Sequence, residues 1–187
     1  MDYSAGTGNS SRFSVVGAVR HPDRRRQDEK LLTYTSAPLE HDLEVTGDPL
    51  VKLYVTSTAT DGAFLVYLED VDPSGEIGNV TEGLLGGQFH KVSSETPPYP
   101  QAGPYRTYRQ ADVMPQVPGE ITELEFDLLP VSYLFKKGHS IRITLSGADK
   151  DSFSPVPAGS QPVTLQFFHG GPVHASYVDL PVMPRQP

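Results

Sequence analysis

Between Leu50 and Asp72 the chain reads LVKLYVTSTATDGAFLVYLEDVD, and this stretch limits the possible folds more than any other. In its first half Val51, Leu53 and Val55 alternate with Lys52, Tyr54 and Thr56. Successive side chains of an extended strand point to opposite faces, so this is the pattern of a half-buried β-strand. In its second half Phe64, Val66 and Leu68 share one face, and Leu65, Tyr67 and Glu69 take the other. Ala59-Thr60-Asp61-Gly62 joins the two halves, and its Asp-Gly dipeptide predicts a tight turn with the strands folded back on each other. A paired unit of that length leaves an apolar face that only a second sheet can cover.

The rest of the chain supplies strands for that sheet. Leu31–Thr35 and Leu43–Thr46 precede the organising pair, and Glu76–Val80 and Leu84–Val92 follow it as two further strands after a Pro73-Ser74-Gly75 turn. Gly86 and Gly87 mark a bulge or a close approach. Ile121–Leu129 alternates with Ile121, Leu124, Phe126 and Leu128 mostly on one side, and Tyr133-Leu134-Phe135 runs into a Lys136-Lys137-Gly138 turn. Ile141, Ile143 and Leu145 define another strand; Val163, Leu165 and Phe167 the next; His174–Val182 the last. Phe13, Val15 and Val16 add a short one near the start. Ser93–Pro118 holds six prolines, which remove ladder donors, so it reads as a long extended crossover rather than sheet. Its alternative reading is a peptide ligand for a proline-recognition domain. No three-turn helix and no internal repeat is found. About ten strands with 18 prolines and 17 glycines predict an all-β fold, a jelly-roll β-sandwich over residues 31–187, with residues 1–30 as an irregular lead-in or linker.

Net charge is −8, which disfavours nucleic acid and anionic membrane surfaces as partners. There is no cysteine, which excludes disulfides, thiolate metal sites and thiol nucleophiles. No apolar run approaches the ~20 residues needed to span a bilayer. The start, MDYSAGTGNSSRF, is polar rather than a signal peptide, so the expected compartment is the cytoplasm. It also reads as though cut from something longer. In His21–Asp28 three arginines are balanced by acidic neighbours, which predicts a solvated, salt-bridged loop rather than a phosphate site.

Several strings touch on chemistry without completing it. Asp70-Val71-Asp72-Pro73-Ser74-Gly75 matches the first half of an EF-hand calcium loop, but Thr81 stands where a bidentate Glu is needed and the flanks are strands, so a hairpin turn is the better reading. Gly138-His139-Ser140-Ile141-Arg142 lacks the second glycine of a nucleophile elbow, and His169-Gly170-Gly171, an oxyanion-hole-like string, has no nucleophile after it. His139 at a strand entrance reads as a structural hydrogen-bonding residue, while His169 and His174 flank a turn and are the one histidine pair with metal-site potential. Asp149-Lys150-Asp151 reads as an acidic loop. No residue is assigned a catalytic, cofactor-binding or metal role, and no cofactor is expected.

Leu32–Glu40 (LTYTSAPLE) with Asp42–Gly47 (DLEVTG) resembles the entry to the C-terminal domain of the X-prolyl dipeptidyl-peptidase and cocaine-esterase family of serine hydrolases. Asp61–Phe64, Leu68–Val71, Val80–Gly83, Phe135–His139, Gly147–Asp151 and Leu180–Pro184 continue that resemblance in order, and Thr7–Arg12 resembles the segment leading into the domain. The resemblance implies a galactose-binding-domain-like jelly roll that packs on an α/β-hydrolase catalytic domain. That domain carries the Ser-Asp-His triad and oxyanion hole, which have no counterpart in this chain. The implied role is therefore non-catalytic: stabilising the catalytic domain, present upstream in cis or as a separate subunit, and helping to wall its acyl pocket. The intact enzymes hydrolyse acyl esters, amides or X-Pro peptides. The alternative is a free-standing carbohydrate- or ligand-binding module, which wants an aromatic platform; with no tryptophan, Tyr99, Tyr105 and Tyr108 are the clustered candidates.

Overall fold

A computed structural model describes residues 1–8, 21–159 and 163–184. The ten strands among them are β1 (Leu32–Thr35), β2 (Leu43–Gly47), β3 (Leu50–Ser57), β4 (Ala63–Val71), β5 (Ile77–Gly86), β6 (Thr122–Asp127), β7 (Val131–Phe135), β8 (Ser140–Ser146), β9 (Leu165–Phe168) and β10 (Tyr177–Asp179). The longest helix among the described residues is α1 (Arg25–Asp28), and none is long and apolar enough to cross a membrane. The expected strand at Phe13, Val15 and Val16 lies outside the described residues.

One sheet has the order β1-β8-β4-β5; the second places β3 between β6 on one side and both β9 and β10 on the other; β2 and β7 form a short third ladder. All pairings are antiparallel. The chain passes from one layer to the other between β3 and β4, β5 and β6, and β8 and β9, the alternation that makes a jelly-roll sandwich. The all-β sandwich is as expected.

The organising pair is not a hairpin. β3 and β4 lie in different sheets and meet face to face across the core, with Val51, Leu53 and Val55 opposed to Phe64, Val66 and Leu68. Face-to-face packing buries the apolar side of both strands, whereas pairing edge to edge would have left both sides uncovered. The Asp61-Gly62 join is accordingly an arch. Asp61 Oδ1 accepts the amides of Gly62 (2.8 Å) and Gln88 (2.9 Å), and the carbonyls of Thr60 and Gly62 take the amides of Gln116 (2.8 Å) and Gly87 (2.7 Å). The true hairpin is β4–β5. Its turn is held by Asp72, whose Oδ1 accepts from Ser74 N (2.8 Å), Ser74 Oγ (2.6 Å) and Glu76 N (2.9 Å), with Gly75 at φ 84°. The two strands expected at Glu76–Val80 and Leu84–Val92 are one, β5, which ends in a short 3-10 turn at Gly87–Phe89.

Side-chain parity also shifts in β6. Thr122, Leu124 and Phe126 face inward, and Ile121 is 41% exposed, the reverse of its expected side. The buried Thr122 fills the inward place, and Leu128 is reached after the strand ends. The crossover is free of strand, as expected. Arg106 fixes it: Nε donates to Phe89 O (2.6 Å), and Nη2 to His90 O (3.2 Å) and Glu125 O (2.6 Å).

The outer face of β4 is covered too, because Leu65, Tyr67 and Glu69 are all buried. Part of the cover comes from the lead-in, and this corrects the expectation of a solvated loop at His21–Asp28. Arg24 and Asp28 are buried, and Arg24 N donates to Ile77 O (3.1 Å) while Ile77 N donates to Asp23 Oδ1 (3.2 Å). Arg25 and Arg26 are exposed, as the solvated reading required.

Candidate functional site

An apolar hollow of about 570 Å3 lies where β4 starts and β5 ends. Ala63, Leu65 and Leu84 form its strand wall, Phe153 and Val156 close one side, and Phe89 with Tyr108 closes the other. It continues into a hollow of about 250 Å3 that shares Leu65 and Leu84 and reaches Leu129 and Pro130. Leu84, Leu129 and Tyr108 stand 44%, 55% and 59% exposed along this line, which makes a contiguous apolar strip rather than scattered surface residues.

Tyr108 is held there under strain. Its φ is 53°, a left-handed conformation that costs a non-glycine residue of order 1–3 kcal/mol and persists only where its surroundings impose it. They do. Arg106 pins the backbone two residues before it, Asp112 N donates to Arg109 O (2.9 Å) just after it, and the Phe89 ring meets it edge-on at 5.3 Å. The crossover is thus folded so as to present Tyr108 at the rim of the hollow.

Two polar clusters lie elsewhere. In the first, Glu69 accepts from Arg24 Nε and from Thr144 Oγ1 (2.7 Å), and the Arg24 guanidinium stacks 4.1 Å above the Tyr67 ring centroid. Asp28 joins both to Arg24 Nη2 (3.5 Å) and to Arg142 Nη1 (3.0 Å). Burial pushes the Glu69 carboxyl up to about 7, against the pull of Arg24. Tyr67 OH donates to Asp149 Oδ2 (3.2 Å), and Asp149 Oδ1 accepts the amides of Asp151 (3.1 Å) and Thr7 (3.4 Å). The acidic loop at Asp149–Asp151 therefore anchors the first residues of the chain onto the sheet.

In the second cluster, Asp70 holds His139 Nδ1 at 2.9 Å and 3.0 Å, and Tyr133 OH at 2.8 Å. Burial and the adjacent carboxylate push the Tyr133 hydroxyl up to about 12. Among the described residues no hydroxyl nucleophile is bonded to this histidine–carboxylate pair. Ser140 is buried at the start of β8, and Ser36 Oγ donates to Ala37 O (2.8 Å) and accepts Ile141 N (3.0 Å), so neither hydroxyl bonds His139. His139 makes the hydrogen bond that its position at a strand entrance predicted.

The remaining sequence motifs resolve into turns. The carboxylates of the calcium-loop-like string are spent, Asp72 on its own turn and Asp70 on His139 and Tyr133. Gly138 (φ 86°) and Gly171 (φ 90°) sit in turns. His169 and His174 do not face each other: His169 packs on Tyr34 (5.5 Å), and His174 on Tyr54 (5.1 Å) and Phe168 (6.3 Å). Among the described residues no three histidines, aspartates or glutamates gather to hold a metal ion. Tyr99, Tyr105 and Tyr108 form no platform, since Tyr108 packs on Phe89 and no ring contact joins the three.

Residues 3–179 match the sequence profile of the X-Pro dipeptidyl-peptidase C-terminal non-catalytic domain. The chain belongs to this family. Its similarity to a protein of Mycobacterium bovis described as a serine esterase is 51% identity over 187 residues, 98% of this chain and 29% of that protein. Similarity to the cocaine esterase of a Rhodococcus species is 27% over 180 residues, 90% of this chain and 28% of that one. The chain thus spans less than a third of the curated relatives it matches. Two solved structures share the fold of this X-Pro dipeptidyl-peptidase C-terminal domain: an α-amino acid ester hydrolase (TM-score 0.67, 20% identity, 87% of this chain and 27% of that one) and a CocE/NonD family hydrolase of Staphylococcus aureus (TM-score 0.68, 18% identity, 86% and 32%).

Proposed function

We propose that this domain serves a cytoplasmic serine hydrolase that cleaves acyl esters, amides or X-Pro peptides, packing against an α/β-hydrolase catalytic domain and helping to wall its acyl pocket. Residues 31–187 form the sandwich, and residues 1–30 join it to the catalytic domain. The observation that carries this reading is the apolar strip from Leu129 through Leu84 to Tyr108, backed by two hollows and by a backbone strained to present an aromatic ring. A mostly apolar surface of this extent fits a permanent protein interface better than open water. Its occupant is the catalytic domain, because this chain accounts for only 29% of its M. bovis relative and carries no nucleophile paired with a base among the described residues.

The test is to mix this chain with the remaining portion of the M. bovis relative, expressed separately, and to follow association by size-exclusion chromatography and hydrolysis of 4-nitrophenyl butyrate. A complex that forms with wild-type chain and is lost with Leu84→Asp/Leu129→Asp supports the reading. Equal association of wild type and variant contradicts this face, and ester turnover by the purified chain alone contradicts the non-catalytic role.

A further inference from the structure

A second opening lies on the opposite edge of the sandwich, between β1–β8 of one sheet and β9–β10 of the other. A break in the second sheet creates it. Along β3, β10 pairs with Leu50, Val51 and Lys52, and β9 pairs with Tyr54 to Ser57; Leu53 has neither strand opposite it. The ladder is patched at that point by a side chain, Ser176 Oγ, which accepts Tyr54 N–H at 2.9 Å. The chain between β9 and β10 leaves the ladder in a turn closed by the His169–Ala175 bridge and by Ser176 N donating to Phe168 O (3.0 Å), and a slot of about 280 Å3 beside it reaches Leu53, itself a core residue only 3% exposed.

The chemistry of the slot is narrow. Ile143, Leu145, Phe167 and Val178 form its apolar walls. Its mouth is aromatic: Tyr34 (38% exposed) packs on the His169 ring at 5.5 Å, and Tyr177 (53% exposed) flanks it. No aspartate, glutamate, lysine or arginine lines it. Ser176 Oγ already accepts a backbone amide and still offers its O–H as a donor and one further lone pair. A sugar, with a hydroxyl on nearly every carbon, would leave most of its hydrogen-bonding groups unmet in such a slot, and burying a charge there would cost more still. The size is near the lower end for small-molecule sites, enough for one ring and a short substituent.

We propose that this slot is a binding site for an uncharged, ring-bearing small molecule with one carbonyl or hydroxyl oxygen. The ring lies between the Tyr34–His169 pair and Tyr177 with its edge against Ile143 and Leu53, and the oxygen accepts from Ser176 Oγ. This site is separate from the Leu84–Tyr108 strip, so it stands whether or not the catalytic domain docks there.

The experiment is titration of the whole 187-residue chain with benzamide, followed by two-dimensional amide NMR. Benzoate and a methyl glycoside serve as the charged and polyol comparators, and toluene as the ring without an oxygen. Expected are saturable shifts at Tyr34, Leu53, Tyr54 and Ser176–Val178, with a Kd near about 1 mM for a ligand of ~9 heavy atoms. Ser176→Ala weakens benzamide about fivefold, the worth of one hydrogen bond, and leaves toluene unchanged. Val178→Phe, which fills the slot while keeping an apolar wall, abolishes both. Absence of saturable shifts in wild type, shifts confined to Leu84 and Tyr108, or binding of benzoate or the glycoside as tight as benzamide would each overturn the proposal. Equal weakening of benzamide and toluene by Ser176→Ala would overturn the role of its hydroxyl.

Discussion

Arg24 is the residue whose loss the structure prices most clearly. Its side chain is fully buried on the outer face of β4, bonded to Glu69, paired with Asp28 and stacked on Tyr67. Arg24→Ala leaves the buried Glu69 carboxyl without its cation and Asp28 with Arg142 alone. Breaking a buried pair from one side costs about 3–5 kcal/mol, because the remaining charge has no compensation. The pH dependence follows from Glu69. Its carboxyl, pushed from 4.5 to about 7 by burial, holds in the folded protein a proton that the unfolded chain releases. Stability from this group is therefore complete below pH 4.5 and lost as pH rises towards 7. Arg24 pulls the other way, with the Thr144 hydroxyl as a smaller help, so its removal makes the variant suffer more at pH 8 than at pH 5. Urea unfolding at both pH values measures this. Arg24→Met/Glu69→Leu should regain most of the loss, since Arg24 Nη1 has no hydrogen-bond partner among the described residues and the wild-type pair is not fully satisfied. A cost for Arg24→Ala under about 1 kcal/mol, equal at both pH values, would refute the docked lead-in and restore the solvated loop.

Two further substitutions probe other supports. Arg106→Ala removes three bonds to main-chain carbonyls and should cost about 2–4 kcal/mol, with new proteolytic cleavage inside residues 93–118 as its signature. Unaltered protease resistance would count against a pinned crossover. Gly83→Ala would place a Cβ 2.6 Å from Asp127 O and 2.9 Å from Leu128 Cα, so β5 and the end of β6 must part; a loss of about 1–3 kcal/mol in thermal unfolding is expected, and an unchanged midpoint would deny the close approach.

What the sequence disclosed depended on how local the cause was. Alternation along Val51–Val55 and Ile141–Leu145 reports which face is apolar, a property of the strand itself, so the strands and the two-layer fold were legible. Which strands pair was not. Asp61-Gly62 suits a hairpin turn and an arch equally, and the bonds that select the arch come from Gly87, Gln88 and Gln116. Ile121 was misplaced because Thr122, half methyl and half hydroxyl, satisfies an inward position that pattern reading gives to the larger apolar residue. Burial of Arg24 needs Glu69 and Tyr67, more than forty positions away, and nothing near Arg24 announces them. The apolar strip was invisible for the same reason: Ala63, Leu84, Phe89, Tyr108 and Phe153 come from segments that meet only in the fold. The family strings, by contrast, are local and ordered, and the profile match over residues 3–179 agrees with them.

The central claim is that this chain is the non-catalytic part of a larger serine hydrolase. The most direct measurement is the size of the native polypeptide, by immunoblot of source cells with an antibody raised against the sandwich. A chain of 20.4 kDa that spans 29% of its relative puts the expected band at about 70 kDa. A single band near 20 kDa, with no larger species, would contradict the account and make the domain a free-standing module or a separate subunit.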